Sequence, residues 1–142
     1  MTINQLSIFI ENRSGTLIKV LRILKQANIQ IIASTIADTA EYGIYRLICS
    51  EPLRAHEELK KGGVAVALSN VFALQLDDEP GRAADAVETF AQAGISIAYM
   101  YTFLLGGKGI MVFRTENADE AERVILDNKL RYIEEPDLSA LA

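Results

Sequence analysis

The sequence predicts an α+β protein: two ferredoxin-like βαββαβ units side by side, each an antiparallel sheet with its helices on one face. Three observations carry this expectation. Residues 8–66 and 74–132 read as one unit written twice, at a constant offset of 66 and without a gap. Within each copy the hydrophobic pattern switches between the strand period of about 2 and the helical period of about 3.6, in the order βαββαβ. Right-handed crossovers on the two β-α-β segments then give four antiparallel strands in the order 4-1-3-2, with both helices on the same face.

The repeated residues fall where geometry restricts the choice. Gly15 meets Gly81, Gln26-Ala27 meets Gln92-Ala93, and Ile29 and Ile31 meet Ile95 and Ile97. Gly43-Ile44 meets Gly109-Ile110, and Ala55 meets Ala121. A duplicated unit creates a pseudo-symmetric junction, which suits a small ligand.

Taken in order, Leu6–Ile10 reads as a strand that ends in the polar turn Glu11-Asn12-Arg13-Ser14-Gly15. From Thr16, the apolar residues Leu17, Val20, Leu21, Leu24 and Ala27 recur at helical spacing, and Asn28 stops that helix. Ile29 to Asp38 is a β-branched strand, Glu41-Tyr42-Gly43 turns the chain, and Ile44 to Ser50 returns. Pro52 opens a helix that runs to Lys61 and ends at Gly62-Gly63, and Val64–Leu68 is the fourth strand. The second copy predicts strand 71–77, helix 81–93, strand 95–104, a turn at Gly106-Gly107, strand 109–115, helix 118–127 and strand 130–134. The expected domains are 1–68 and 71–135, joined by only Ser69-Asn70, with a loosely held tail at 136–142.

Composition narrows the function. Units of about 65 residues hold only a modest core alone, so two fused copies should share apolar surface. Half of the 142 residues are hydrophobic and mean hydropathy is +0.17, yet no apolar run reaches the span of a bilayer helix. The N-terminus lacks the basic start and cleavage site of a signal peptide, so a cytoplasmic location and no membrane partner are expected. The excess apolar surface calls for a covering subunit. Tyr99, Tyr101 and Phe103 share one face of a strand while Ala98, Met100 and Leu104 share the other, so neither face reads as solvated. With a net charge of −5 and no basic cluster, nucleic acid is not an expected partner.

Catalytic constellations are missing from the pattern. His56, the sole histidine, sits on a solvated helix, and Cys49 lies in a strand as a buried structural thiol that can form no internal disulfide. One Cys and one His give no metal-ligand spacing. Gly106-Gly107-Lys108-Gly109 lacks the pattern of a phosphate loop and reads as a hairpin turn. No enzymatic activity, cofactor or metal is expected.

The strand-to-helix turns are different. Glu11–Leu17 and Asp77–Ala83 each place a glycine at the start of a helix, where the backbone can approach a ligand and free N–H groups suit a carboxylate. Asn12 or Asp78 could take an ammonium group. Lys19 and Arg22 correspond to Asp85 and Glu88, so joining the units along their strand-two edges would bring a basic helix beside an acidic one.

Ile8-Phe-Ile-Glu-Asn-Arg-Ser-Gly-Thr-Leu17, followed by a helix and Ala27-Asn-Ile-Gln-Ile31, resembles the ACT domain. That family has a strand, a turn of the type N-x-P-G-x-L, an amphipathic helix and a further strand. The second copy supplies Glu79-Pro80-Gly81 and Ala93-Gly-Ile-Ser-Ile97. The resemblance covers about residues 4–134. It implies a regulatory, non-catalytic protein that binds a free amino acid where two ACT units pack side by side, in a homodimer or with a catalytic or regulatory protein partner. By position it implies a ligand wall of Asn12, Arg13, Ser14, Gly15, Thr16 and Leu17, and a second of Asp78, Glu79, Pro80, Gly81 and Arg82. The opposing walls would be Asn28-Ile29 and Gly94-Ile95 of the partner unit. Ser14 replaces the family's proline and Ala83 its leucine, and the acidic second turn suits a carboxylate less well than the first. An alternative resemblance, of Ser7–Leu17 to the start of the acetohydroxyacid synthase small subunit, implies the regulatory subunit of a biosynthetic enzyme.

Overall fold

The computed structural model describes residues 1–11, 15–38 and 42–141. The chain forms two compact units, Asn4–Ser69 and Asn70–Ala142, the latter joined by Met1–Ile3. The elements in order are β1 (Ile3–Glu11), α1 (Thr16–Gln26), β2 (Ile31–Asp38), β3 (Tyr42–Cys49), α2 (Pro52–Lys61) and β4 (Val66–Leu76). They continue with α3 (Arg82–Gln92), β5 (Tyr99–Leu105), β6 (Lys108–Arg114), α4 (Ala118–Asp127) and α5 (Glu135–Leu141).

In the first unit β3 lies between β2 and β1, antiparallel to both, with Leu47 opposite both Leu6 and Ser34. The segment leading into β4 joins the free side of β1, where the Phe9 amide donates to the Ala65 carbonyl at 3.0 Å. In the second unit β6 lies between β4 and β5. On the other side of β4, residues 131–133 complete the order: the Gln75 amide donates to the Arg131 carbonyl and the Ile133 amide to the Ala73 carbonyl, both at 2.8 Å. Both units therefore have the expected 4-1-3-2 arrangement, and each is a ferredoxin-like α+β fold.

The repeat extends into the packing. Leu6, Ile8, Val20, Leu24, Tyr45, Leu47, Ala55 and Leu59 belong to one buried cluster, and the residues 66 positions on (Phe72, Leu74, Ala86, Phe90, Met111, Phe113, Ala121 and Ile125) to the other. Volumes are exchanged between the sites. Where the first unit has Leu24 and Leu47, the second has Phe90 and Phe113, with ring centroids 4.8 Å apart. Ala86, in place of Val20, gives back part of the added bulk, as dense interiors require. The sheet face away from the helices is also buried at Ala73, Ile110 and Val112, whereas Phe9 and Tyr42 on the first unit's sheet are exposed.

All four long helices end in the same device. Asn28, Gly63, Gly94 and Lys129 have positive φ of 56°, 80°, 75° and 54°. After each, the next amide donates five residues back: Ile29 to Leu24, Val64 to Leu59, Ile95 to Phe90 and Leu130 to Ile125. This Schellman arrangement satisfies carbonyls that the helix leaves open. The expected stop at Asn28 is one of the four. The Gly106-Gly107 hairpin has φ of 58° and 76°, as a two-residue turn with both central residues left-handed requires.

Two expectations change. The strands expected on either side of Ser69-Asn70 are one continuous strand, β4, which runs through those residues. No glycine or proline interrupts VALSNVFALQL, and the boundary between units falls inside it. The tail expected to be loose is the helix α5, with Leu138 1% exposed. Its start is capped by Asp137, whose Oδ2 accepts from the Glu134 amide at 3.0 Å, half of a capping box. No described helix is long and apolar enough to cross a membrane.

Candidate functional site

The turns that open α1 and α3 share one construction. Gly15 and Gly81 occupy the position before the first helical residue with φ of 96° and 88°, a left-handed conformation that favours glycine. Among the described residues a Cβ at either glycine would meet nothing within 4 Å, so backbone conformation selects the residue. Among the described residues no side chain caps either helix, which leaves early N–H groups available to an acceptor.

Beside each turn lies a depression, and the two are equivalent. In the first unit it is lined by Phe9, Glu11, Gly15, Thr16, Lys19, Gly63, Val64 and Ala65, with a volume of about 520 Å³. In the second, Gln75, Asp77, Arg82, Asp85, Lys129, Leu130 and Arg131 line a smaller one of about 220 Å³. The difference follows from three substitutions across the repeat. Arg82, Lys129 and Arg131 stand where the first unit has Thr16, Gly63 and Ala65, and their long side chains fill the space.

Those side chains are also tied to carboxylates. Arg82 donates from Nη2 to Glu79 Oε2 and from Nη1 to Asp85 Oδ2, both at 2.9 Å. Its hydrogen bond and attraction to Glu79, followed by those to Asp85, hold the guanidinium pKa above its ordinary value. Arg131 lies 3.7 Å from Asp77. The first depression has Lys19, which makes no ion pair among the described residues, together with Glu11, Thr16 and the exposed ring of Phe9. It can offer an ammonium, a hydroxyl and an apolar wall to one small ligand.

A third depression, of about 330 Å³, lies between the second turn and β5, lined by Asp78, Glu79, Arg82, Ala83, Thr102, Phe103, Leu104 and Gly109 among others. Gly109 pairs with Leu104 across the strands and leaves a gap in the sheet face. A Cβ there would meet the Leu76 carbonyl oxygen at 3.0 Å.

Of the residues expected to bind ligand, Gly15 and Thr16 line the first depression, and Asp78, Glu79 and Arg82 line the one beside β5. Leu17 packs against the core. Pro80 and Gly81 are exposed in the turn. Asn12, Arg13 and Ser14 lie outside the described residues, as does Glu41 of the turn expected between β2 and β3. Asn28 and Gly94 are helix stops, and Ile29 and Ile95 are core residues, 6% and 5% exposed. They sit at the opposite end of an 11-residue helix from the turn of their own unit, roughly 16 Å away. Sequence reasoning missed Phe9, Lys19 and the Gly63–Ala65 segment. The offset of 66 links residues 63–65 only to 129–131, so no local signal in the sequence joins them to the first turn.

The chemistry of catalysis is thin. His56 lies partly buried on α2, and Cys49 is buried. Among the described residues no group of His, Cys, Asp or Glu is placed to hold a metal ion.

A family model described as an ACT domain pair matches residues 1–142, and the chain belongs to that family. It is similar to the crystal structure of protein BT0572 from Bacteroides thetaiotaomicron, with a TM-score of 0.92 and 35% sequence identity over 99% of this chain and 98% of that one. It shares its fold with the ligand-free regulatory subunit of aspartate kinase from Thermus thermophilus, at a TM-score of 0.61 and 17% identity over 87% of this chain and 91% of that one. The corresponding subunit from Thermus flavus gives 0.59 and 17% over 87% and 90%. Comparison with curated proteins finds no match.

Proposed function

We propose that the chain is a non-catalytic, cytoplasmic sensor, a homodimer that binds a free amino acid between ACT units and passes its level to a protein partner. Its two ACT domains are taken as 1–68 and 71–135. The observation that carries this reading is the repeated turn: Gly15 and Gly81, both left-handed, open two helices whose N-termini no described side chain caps. A helix N-terminus receives the α-carboxylate of an amino acid without any cation from the protein. Lys19 beside the first turn makes no ion pair among the described residues and can meet a carboxylate, while Arg82 beside the second is held by Glu79 and Asp85. The first turn is therefore the stronger binder. Regulation requires the ligand to prefer one arrangement of the protein over another, since only differential affinity shifts an equilibrium.

A thermal-shift screen of the twenty amino acids tests the reading. One or a few should stabilise the protein, by about 2.7 kcal/mol at a concentration 100 times the dissociation constant. A flat response to all of them rejects the sensor function. Co-purification with a larger catalytic chain would instead favour a biosynthetic enzyme's regulatory subunit.

A further inference from the structure

The helices of the two units carry opposite charge. Helices α1 and α2 hold six cations and two carboxylates, whereas α3 and α4 hold two cations and six carboxylates. The contrast is sharpest between α1 and α4. On α1 there is no acid, and Lys19, Arg22 and Lys25 are exposed and make no ion pair among the described residues. On α4, Asp119 and Glu122 are exposed and likewise unpaired among the described residues. On α3, by comparison, Asp85 is already bonded to Arg82 at 2.9 Å. Each of the two helices also leaves one large aliphatic side chain open: Ile18 on α1 is 45% exposed and Leu126 on α4 52%. Neither serves the core, which takes Val20 and Leu24 from α1 and Ala121 and Ile125 from α4.

We propose that α1 of one copy of this chain docks antiparallel on α4 of a second copy. The outward residues form matching stripes. Ile18, Arg22 and Lys25 follow one another at the spacing i, i+4, i+7 on α1, and Leu126, Glu122 and Asp119 do so on α4 when it is read backwards. With Ile18 set on Leu126, the equal rise of two helices sets Arg22 on Glu122 and Lys25 on Asp119. This register covers both open aliphatic side chains and opposes each cation with a carboxylate. Sliding α4 by one turn sets Ile18 on Glu122 in one direction, and Lys25 on Arg123 in the other. A parallel arrangement with Ile18 on Asp119 sets Arg22 on Arg123. Exposed ion pairs contribute little affinity alone, so they select the register while the aliphatic contact supplies burial. A second copy is the occupant because the chain itself carries the complementary face and leaves Ile18 and Leu126 uncovered. In a two-fold pair each copy gives α1 to the other's α4, and the contact is made twice. The inference rests on the homodimeric reading above and names its surface.

The experiment measures dimer dissociation by light scattering over a dilution series of the full chain, with circular dichroism to confirm folding. Reversing the basic stripe by Arg22→Glu with Lys25→Glu should raise the dissociation constant about tenfold or more, because like charges then face each other. Reversing the acidic stripe by Asp119→Lys with Glu122→Lys should do the same. An equimolar mixture of the two variants should restore the dimer, since each reversed helix then meets an opposite charge on the other variant. Variants that dimerise as tightly as the wild type overturn the α1–α4 surface and leave the homodimer standing. Weakened variants that stay apart when mixed overturn the pairing of these two helices in the same way. A wild-type monomer overturns both the surface and the homodimer. None of these results bears on the thermal-shift screen, which tests the amino acid alone.

Discussion

Arg54 on α2 closes the end of α1: its Nη1 donates to the carbonyl oxygen of Ala27 at 2.7 Å, and Nη2 donates to the same oxygen. Glu51 steadies the guanidinium from one helical turn away, 3.2 Å from Nη2. The second unit has Glu120 at the equivalent position and cannot make this bond. A cation at a helix C-terminus satisfies an open carbonyl and opposes the negative end of the dipole. Arg54→Ala should lower stability by about 1–2 kcal/mol in urea unfolding, the range for a partly exposed bond to a charged donor. Glu120→Ala should change it by no more than about 0.5 kcal/mol.

Lys129 holds a left-handed conformation, φ 54°, where the first unit has Gly63. A side chain there costs about 1–2 kcal/mol, of which the greater unfolded freedom of glycine takes back part. Lys129→Gly should therefore stabilise the protein by about 0.5–1 kcal/mol, seen as a melting temperature a few degrees higher. Asn28→Gly should gain less, because asparagine tolerates this conformation. A loss of stability in Lys129→Gly would show that its ammonium matters more than its backbone.

The paired glycines Gly43 and Gly109 should differ in tolerance. A Cβ on Gly109 would sit 3.0 Å from the Leu76 carbonyl oxygen, whereas on Gly43 its nearest neighbours are at 3.6 Å. Gly109→Ala forces backbone to move and should cost about 1–3 kcal/mol. Gly43→Ala fits at ordinary contact distance and should be near neutral. Equal losses in chemical denaturation would refute the distinction.

The two turns should also differ in ligand response. Gly15→Ala strains a left-handed residue by about 1–2 kcal/mol and puts a methyl group over the first turn. It should abolish any amino-acid-induced thermal shift. Gly81→Ala carries the same strain but should leave the shift intact, since Arg82, Lys129 and Arg131 already occupy the second depression. Loss of response in Gly81→Ala alone would reverse the assignment.

The sequence by itself determined the element order, the duplication and the family, because each rests on local rules. Periodicity separates strand from helix, glycines mark the turns, and the offset of 66 carries the helix-side core positions from one copy to the other. Tertiary structure decided the rest. Whether Val64–Leu68 and the strand after Asn70 are two strands or one was open in the sequence, and β4 runs unbroken through Ser69-Asn70. The resemblance implied Ile29 and Ile95 as walls supplied by a partner unit, and the fold of each unit buries both side chains just after the helix stops. The unequal depressions lay in the sequence as Gly63 against Lys129 and Ala65 against Arg131. Only folding brings those residues beside Gly15 and Gly81, about 50 positions away, where side-chain volume decides which turn stays open.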